Sequence, residues 1–406
     1  MQTNTDIKVG LVGCGHRGIA GLLASIKTIG KANTVVGLFD HNPVRLNYAH
    51  NFLGNPQCQK STDFDEFCSN PDLDTVIVAT PDNRHEEYVI KAFAAGKNVV
   101  CEKPMAISTE ECRNMIAAQG DNQFRVAFNF RCNAVAIKTK ELLDAGTIGS
   151  VILVEAYDMV DWRHGSDYFR RWHRFQSMSG GLPIHKSTHA FDVIDWWLDD
   201  VAQSVSAEGG RQFYKPSLQQ GERCLTCKAT ATCPFAIDLT DDIPGQNAGI
   251  EGFYKDMYLD AESLDGYIRD ACVFDANSDI LDNYTASATY RRGARLSYTA
   301  VFFAPNEDRT FVIYGDKGQM EISRQKRQIK IHAEAGRTGC EIINVPEEPG
   351  GHGGADIRFV KSIYGSEDPY GVCAEAKDGF SSIALAESLN KSITSGQRIT
   401  VPQLED

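Results

Sequence analysis

The residues in this sequence most able to do chemistry close an apolar run: Val99-Val100-Cys101 leads into Glu102-Lys103-Pro104. A lysine ammonium beside an alcohol oxygen stabilises the alkoxide-like charge that grows as hydride leaves. Partial desolvation would also lower its pKa enough for proton relay. A means of taking that hydride is encoded upstream. Gly13-Cys14-Gly15-His16-Arg17-Gly18 lies between an apolar run ending at Val12 and a helical pattern over Ile19 to Ile26. A second apolar run, Thr34 to Phe39, closes in Asp40, 22 residues after Gly18. This is the layout of a strand–turn–helix–strand unit that holds NAD. The glycines permit the tight turn and a close approach of backbone to pyrophosphate. The helix start, with His16 and Arg17 in its turn, presents free N–H groups to that anion. Asp40 can accept from both ribose hydroxyls and would repel a 2′-phosphate, so NAD is expected, while the nearby His41 and Arg45 leave NADP open.

The elements that must position these residues alternate. Up to about residue 130, apolar runs at Val9–Val12, Val35–Phe39, Val76–Ala79, Val99–Cys101 and Phe124–Phe130 are separated by amphipathic stretches such as Glu86–Ala95 and Thr109–Ala118. That pattern predicts a parallel sheet with covering helices. The glycine turn, Asp40, Thr80-Pro81 and Glu102-Lys103 each follow a predicted strand and should share the ligand-binding edge of the sheet. Beyond Arg131 the character changes. Helices are predicted over Ala134–Ala145 and about Pro183–Leu198, and strands over Val151–Tyr157, Tyr284–Tyr290, Leu296–Phe303, Thr310–Tyr314, Gln319–Ile322 and Gln328–Ala333. The expected fold is therefore α/β, with an N-terminal Rossmann dinucleotide-binding domain over 1–130. A C-terminal α+β domain over 131–406 follows, built on a mostly antiparallel open sheet and carrying a cysteine-containing insertion near 205–270.

At 406 residues, two domains are expected. The net charge of −13 argues against nucleic acid or an anionic membrane surface as partner. No apolar run reaches the ~18–20 residues of a bilayer span, and the polar start of the chain makes the cytoplasm the default location. Most of the twelve cysteines are scattered, as reduced thiols would be. Cys224, Cys227 and Cys233 are the exception. They could supply three ligands of a structural zinc stapling the insertion, with Cys272 as a fourth, or they could be unligated thiols or an adventitious disulfide.

The chain resembles the Gfo/Idh/MocA oxidoreductases, named for glucose–fructose oxidoreductase, inositol dehydrogenase and a rhizopine-catabolism protein. The motifs that carry the resemblance are Gly13-x-Gly15-x-x-Gly18, Thr80-Pro81-x-x-x-His85, Ala95-Gly96-Lys97-x-Val99-x-x-Glu102-Lys103-Pro104, Phe128-Asn129-Phe130-Arg131, and Gly180-Gly181 followed by His189-x-x-Asp192. The resemblance implies that Lys103 bonds the hydroxyl being oxidised and that His189 accepts its proton. It also implies that Pro81, Asn83, His85 and Glu102, with Thr80, border the nicotinamide and its ribose, and that the open second sheet serves homo-oligomerisation.

The sequence departs from the family pattern at one place. Many relatives carry an aspartate four residues before the catalytic histidine, where this chain has His185 in His185-Lys186-Ser187-Thr188-His189. On a helix, i and i+4 share a face, so both imidazoles would point into one pocket with Lys186 one step round. Such a pair could hold a metal, but no third ligand accompanies it. Asp161-Trp162-Arg163-His164 and Tyr168-Phe169-Arg170-Arg171-Trp172-His173-Arg174 read either as a sugar site or as a packed inter-domain segment. Trp162, Arg163, Arg170, His173, Arg131 and Lys186 are the substrate-binding candidates.

The expected activity is NAD-dependent oxidation of a secondary alcohol of a sugar, sugar derivative or glycoside, with Lys103, His189 and His185 at the reacting oxygen. Two alternatives stand beside it. One is an NAD-dependent glycosidase working by transient oxidation and elimination. The other is a non-catalytic dinucleotide-binding regulator.

Overall fold

A computed structural model describes residues 7–216, 222–240, 252–333, 339–365, 368 and 370–405. Six parallel strands open the chain: β1 (Val9–Val12), β2 (Val35–Phe39), β3 (Gln59–Ser61), β4 (Thr75–Val78), β5 (Asn98–Glu102) and β6 (Phe124–Ala127). Their apolar runs are buried on both faces, as strands covered by helices on each side must be. The order is β15-β6-β5-β4-β1-β2-β3, where β15 (Ala374–Glu375) is an antiparallel edge strand returned from late in the chain. The strand order reverses beside β1, so a crevice opens at the carboxyl ends of β1, β4 and β5.

The second sheet has nine strands: β7 (Val151–Asp161), β8 (Ala202–Gly210), β9 (Asn283–Tyr290), β10 (Arg295–Ala304), β11 (Asp308–Gly315), β12 (Gly318–Ser323), β13 (Gln328–Ala333), β14 (Cys340–Asn344) and β16 (Ile399–Thr400). Every pairing in it is antiparallel except β7 with β10. β8 runs into the start of the insertion expected near 205–270 and pairs with β9. Along β7 and β10 one face is buried (Val154, Ala156, Val160, Leu296, Tyr298, Ala300, Phe302), while Leu153, Tyr157 and Val301 lie on the other.

The segment predicted as one helix from Pro183 to Leu198 is two structures. Pro183–Ser187 winds with i→i+5 geometry, and a regular α-helix runs over Thr188–Leu198. Ser187 Oγ is fixed from the sheet side by the Tyr298 hydroxyl at 2.7 Å and the Tyr284 hydroxyl at 2.5 Å. Tyr298 and Arg309 in turn bond Asp158 on β7. The buried sheet face therefore sets the rotation of the turn that carries His185 and Lys186.

The helix Trp162–Arg170, capped by the Asp161 side chain on the backbone N–H of Arg163 and His164, lies against β10. Gly165 makes that approach feasible, since a Cβ there would sit 1.7 Å from the Phe302 carbonyl oxygen. Among the described residues no helix is long and apolar enough to cross a membrane. Gly165→Ala is expected to lower unfolding free energy by at least about 2 kcal/mol through overpacking, read by chemical denaturation. A loss near zero would mean that the helix can slide away from the sheet.

Candidate active site

The glycine turn leaves β1 with its backbone against the next strand. Gly13 has φ 94° and a Cβ there would meet the Ala79 carbonyl at 2.6 Å, while one at Gly18 would meet the Gly13 carbonyl at 2.3 Å. Asp40 lies where expected, at the end of β2, but it is buried and engaged. Its Oδ2 accepts from Cys14 N and its Oδ1 from Asn42 N, both at 2.8 Å. Arg17 reaches from the turn to Glu102 at 2.6 Å and to Asp356 at 2.9 Å. Asp356 also accepts from Asn129 at 2.7 Å and lies 2.7 Å from His352 Nδ1, which brings the late loop Gly350–Gly354 to the crevice. Sequence reading missed this loop because one histidine among glycines carries no signature by itself.

Three polar atoms at this edge are buried with no hydrogen-bond partner among the described residues: Arg17 Nη2, Thr80 Oγ1 and Asn83 Oδ1. Buried polar groups without partners are rare and call for a ligand or water. Together with the glycine cradle they fit a dinucleotide, so Gly13, Gly15, Gly18, Arg17, Thr80, Pro81 and Asn83 are the groups that would hold NAD. His85 lies beside Thr80 at this edge. Its ring is fully buried, spanning the carbonyls of Pro104 at 2.8 Å and Thr80 at 3.1 Å, so it ties the Thr80-Pro81 turn to the Lys103-Pro104 turn. Burial pushes its pKa down.

The reactive-looking groups meet where the loops after β4 and β5 reach the Pro183–Ser187 turn. Lys103 Nζ donates to the His185 carbonyl at 3.1 Å, and His185 Nδ1 lies 2.6 Å from Asp82 Oδ2. Burial above all, with Lys186 and Arg17 adding, pushes Lys103 down to about 8 against the opposing pull of Asp82 and Glu102. Burial also drives the Asp82 carboxyl up and His185 down, so the pair carries a single proton on its shared bond. His189 is driven well below its ordinary range by burial and then by Lys103, Arg309 and Lys186. Its ring stands edge-on to Phe128 and Phe130, and its Nδ1 has no partner among the described residues.

Asp82 escaped the sequence reading because a lone acid after Pro81 looks like a turn residue. The two imidazoles do not share a pocket wall as an i, i+4 pair would. The wider turn sends His185 against His173, Trp172 and Tyr168, leaving His189 with the phenylalanines. Burial holds both imidazoles neutral.

Of the substrate candidates, His173 and Lys186 reach this cluster. The His173 ring centroid is 4.3 Å from that of His185, and the Lys186 ammonium lies 5.9 Å over Tyr168. The Tyr168 hydroxyl bonds His164 Nε2 while His164 Nδ1 faces Glu307, both at 2.8 Å. The others are committed elsewhere. Arg131 is locked bidentate to Asp192, at 2.9 and 2.6 Å. Arg170 donates to Ser166 and the Phe235 carbonyl, and Trp162 packs edge-on against Phe235 with the exposed Arg163 over its indole. Trp162 and Arg170 thus meet Phe235 of the 222–240 segment, while Arg131 is tied to the helix Thr188–Leu198. The next residue, Arg171, lies near enough to act on Asp82 and His185, and its Nε is buried without a partner among the described residues.

The zinc expectation finds no support, although Cys272 lies near enough to Cys224, Cys227 and Cys233 for their charges to act on it. Among the described residues no three His, Cys, Asp or Glu side chains gather as a metal site, and Cys224, Cys227, Cys233 and Cys272 are free thiols. The insertion is held instead by charge. Arg223 is bidentate to Glu262 and also bonds Asp270, whose other oxygen accepts from Leu225 N at 2.8 Å.

A Rossmann crevice edged by a lysine and neutral histidines defines an NAD-binding oxidoreductase. Residues 7–130 match the oxidoreductase family's NAD-binding Rossmann fold, and residues 140–401 match its C-terminal alpha/beta domain. The chain belongs to the Gfo/Idh/MocA family. It is 32% identical over 362 residues to the Bacillus subtilis protein YteT, named as an oxidoreductase, covering 84% of each chain. It is 24% identical over 349 residues to levoglucosan dehydrogenase of Pseudarthrobacter phenanthrenivorans, covering 84% of this chain and 79% of that one. A levoglucosan dehydrogenase solved with NADH and levoglucosan superposes with a TM-score of 0.72 at 21% identity, covering 98% of this chain and 100% of that one. Membership in an oxidoreductase family sets aside the non-catalytic regulator.

The charge-held insertion has a direct check. A strong chelator should leave the melting temperature unchanged, whereas Arg223→Ala should lower it. The reverse pattern would restore the metal.

Proposed function

We propose that the protein is a cytoplasmic NAD-dependent dehydrogenase that oxidises a secondary alcohol of a sugar, sugar derivative or glycoside. The observation that supports this reading is that Lys103, bonded to the His185 carbonyl, lies near enough to act on His189, whose Nδ1 is buried without a partner among the described residues. When bound, NAD supplies the hydride acceptor. Lys103 holds the substrate oxygen and stabilises its developing negative charge. His189, neutral because it is buried among cations, takes the hydroxyl proton. His185 acts through Lys103: its carbonyl fixes the ammonium, and Asp82 fixes His185. Lys186, Arg171 and His173 lie near enough to act on His185 and are polar groups that could bond a hydroxyl-rich ligand. Sugar-type dehydrogenases among the relatives support this substrate class, including inositol 2-dehydrogenase of Ralstonia nicotianae, 30% identical over 257 residues. The outward face of the second sheet, with Leu153, Tyr157 and Val301, is the surface on which copies would assemble.

The NAD-dependent glycosidase remains a second reading because Asp82–His185 adds a proton-holding pair that a simple oxidation does not need. A dehydrogenase accumulates NADH, whereas the glycosidase releases aglycone with none.

Two outcomes test the assignment of Lys103. Lys103→Ala should cut turnover by about a thousandfold while NAD still binds in a fluorescence titration. Lys103 works protonated, so the rate should be full below its pKa and fall as pH rises through about 8. A profile still climbing past that point, or near wild-type activity in the variant, would remove Lys103 from the reacting oxygen.

A further inference from the structure

The insertion reaches the dinucleotide site. Its turn Lys255–Leu259 places the Tyr258 hydroxyl 3.0 Å from His16 N, where it accepts that N–H of the glycine turn. Phe253 stands edge-on to the His16 ring with centroids 5.5 Å apart, and both it and Tyr258 are buried. Six residues beyond this turn, Asp265 enters the loop after β2. Its Oδ2 accepts from Asn42 Nδ2 at 2.8 Å and from the Arg45 guanidinium, and stands 3.6 Å from His41 Nε2. Its Oδ1 accepts from Tyr267 N at 3.0 Å. Arg45 is consequently held between two carboxylates, with its Nε 3.5 Å from Asp40 Oδ1, and is almost wholly buried.

An arginine just past the acid that closes the second strand is the kind of group that accommodates a ribose 2′-phosphate in this fold. Here that cation is already neutralised, and a second carboxylate stands beside Asp40. We propose that Asp265 sets cofactor choice: by pairing with Arg45 it masks the cation that would otherwise accept NADP, so the insertion of the second domain determines the preference for NAD. This rests on the dinucleotide-binding reading. Each Asp40 oxygen accepts one backbone N–H and keeps a second lone pair open to a ribose hydroxyl. The Asp40 charge repels a phosphate, but Arg45 and His41 stand next to it and would offset that repulsion if left unpaired. The carboxylate from the insertion prevents this.

The test is a fluorescence titration of the intact protein with NAD and with NADP, for wild type, Asp265→Asn and Arg45→Ala. Asp265→Asn keeps the shape and an acceptor for Asn42 while removing the negative charge that neutralises Arg45. It should shift the NADP-to-NAD affinity ratio toward NADP by about tenfold or more, a change equal to one unmasked charge interaction. A ratio unchanged within about twofold overturns the inference. Arg45→Ala in the wild-type background gives an independent result that does not depend on the Asp265 variant folding. A masked Arg45 contributes nothing to NADP, so its loss should leave the already weak NADP binding where it was. A clear loss of NADP affinity would show that Arg45 is available despite Asp265 and would likewise overturn the inference. The double variant should lose the gain made by Asp265→Asn, and retention of that gain would contradict the role of Arg45. Wild type that binds neither cofactor would defeat the dinucleotide reading itself, an outcome distinct from all of these.

Discussion

The crevice depends on one small polar junction between the two sheets. Asp82, just after β4, grips His185 on the second domain, and Lys103, just after β5, donates to the carbonyl of that same histidine. Asp82 and His185 are buried and Lys103 is partly so, and each would lose solvation alone. Satisfied by one another they become a rigid bridge, because breaking any member leaves a buried polar group without a partner. The ammonium is thus aimed by the far domain, although its own strand brings it to the edge of the near one.

A second layer of charge holds the remaining parts around this junction. Arg17 joins the glycine turn to Glu102 and to Asp356, so the residue before Lys103 and a late loop are tied to the dinucleotide turn. On the other side, the helix Trp162–Arg170 spends Asp167 on Arg269 and Arg170 on the Phe235 carbonyl. Those contacts fasten both described pieces of the insertion. Arginine–carboxylate pairs, with their planar bidentate geometry, orient these segments.

The parts of this arrangement legible in the sequence were those encoded by local pattern. The strands of the first sheet announce themselves as short apolar runs, and the glycine turn and Asp40 are spaced by the geometry of one βαβ unit. Most strands of the second sheet alternate clearly enough to be read. The illegible parts are long-range. Nothing near Asp82 in sequence points to His185, 103 residues away, and nothing near Asp265 points to Arg45, 220 residues away. The His185–His189 spacing misled because it presumed α-helical winding, whereas Pro183–Ser187 is wound wider under the constraint of Tyr284 and Tyr298. Trp162, Arg163 and Arg170 look like a sugar site by composition, but composition cannot say which side of the helix faces the insertion. Arg171, one residue on, faces the crevice instead.

The central claim is that Asp82 and His185 act as one unit in positioning Lys103. A double-mutant cycle on kcat/KM, using Asp82→Asn, His185→Gln and the double variant with NAD affinity measured for each, tests it most directly. The account predicts that each single change costs nearly as much as both together, a coupling of about 1.5 kcal/mol or more, with NAD affinity little changed. Costs that add within about 0.5 kcal/mol would mean that the two side chains work independently, and would contradict it.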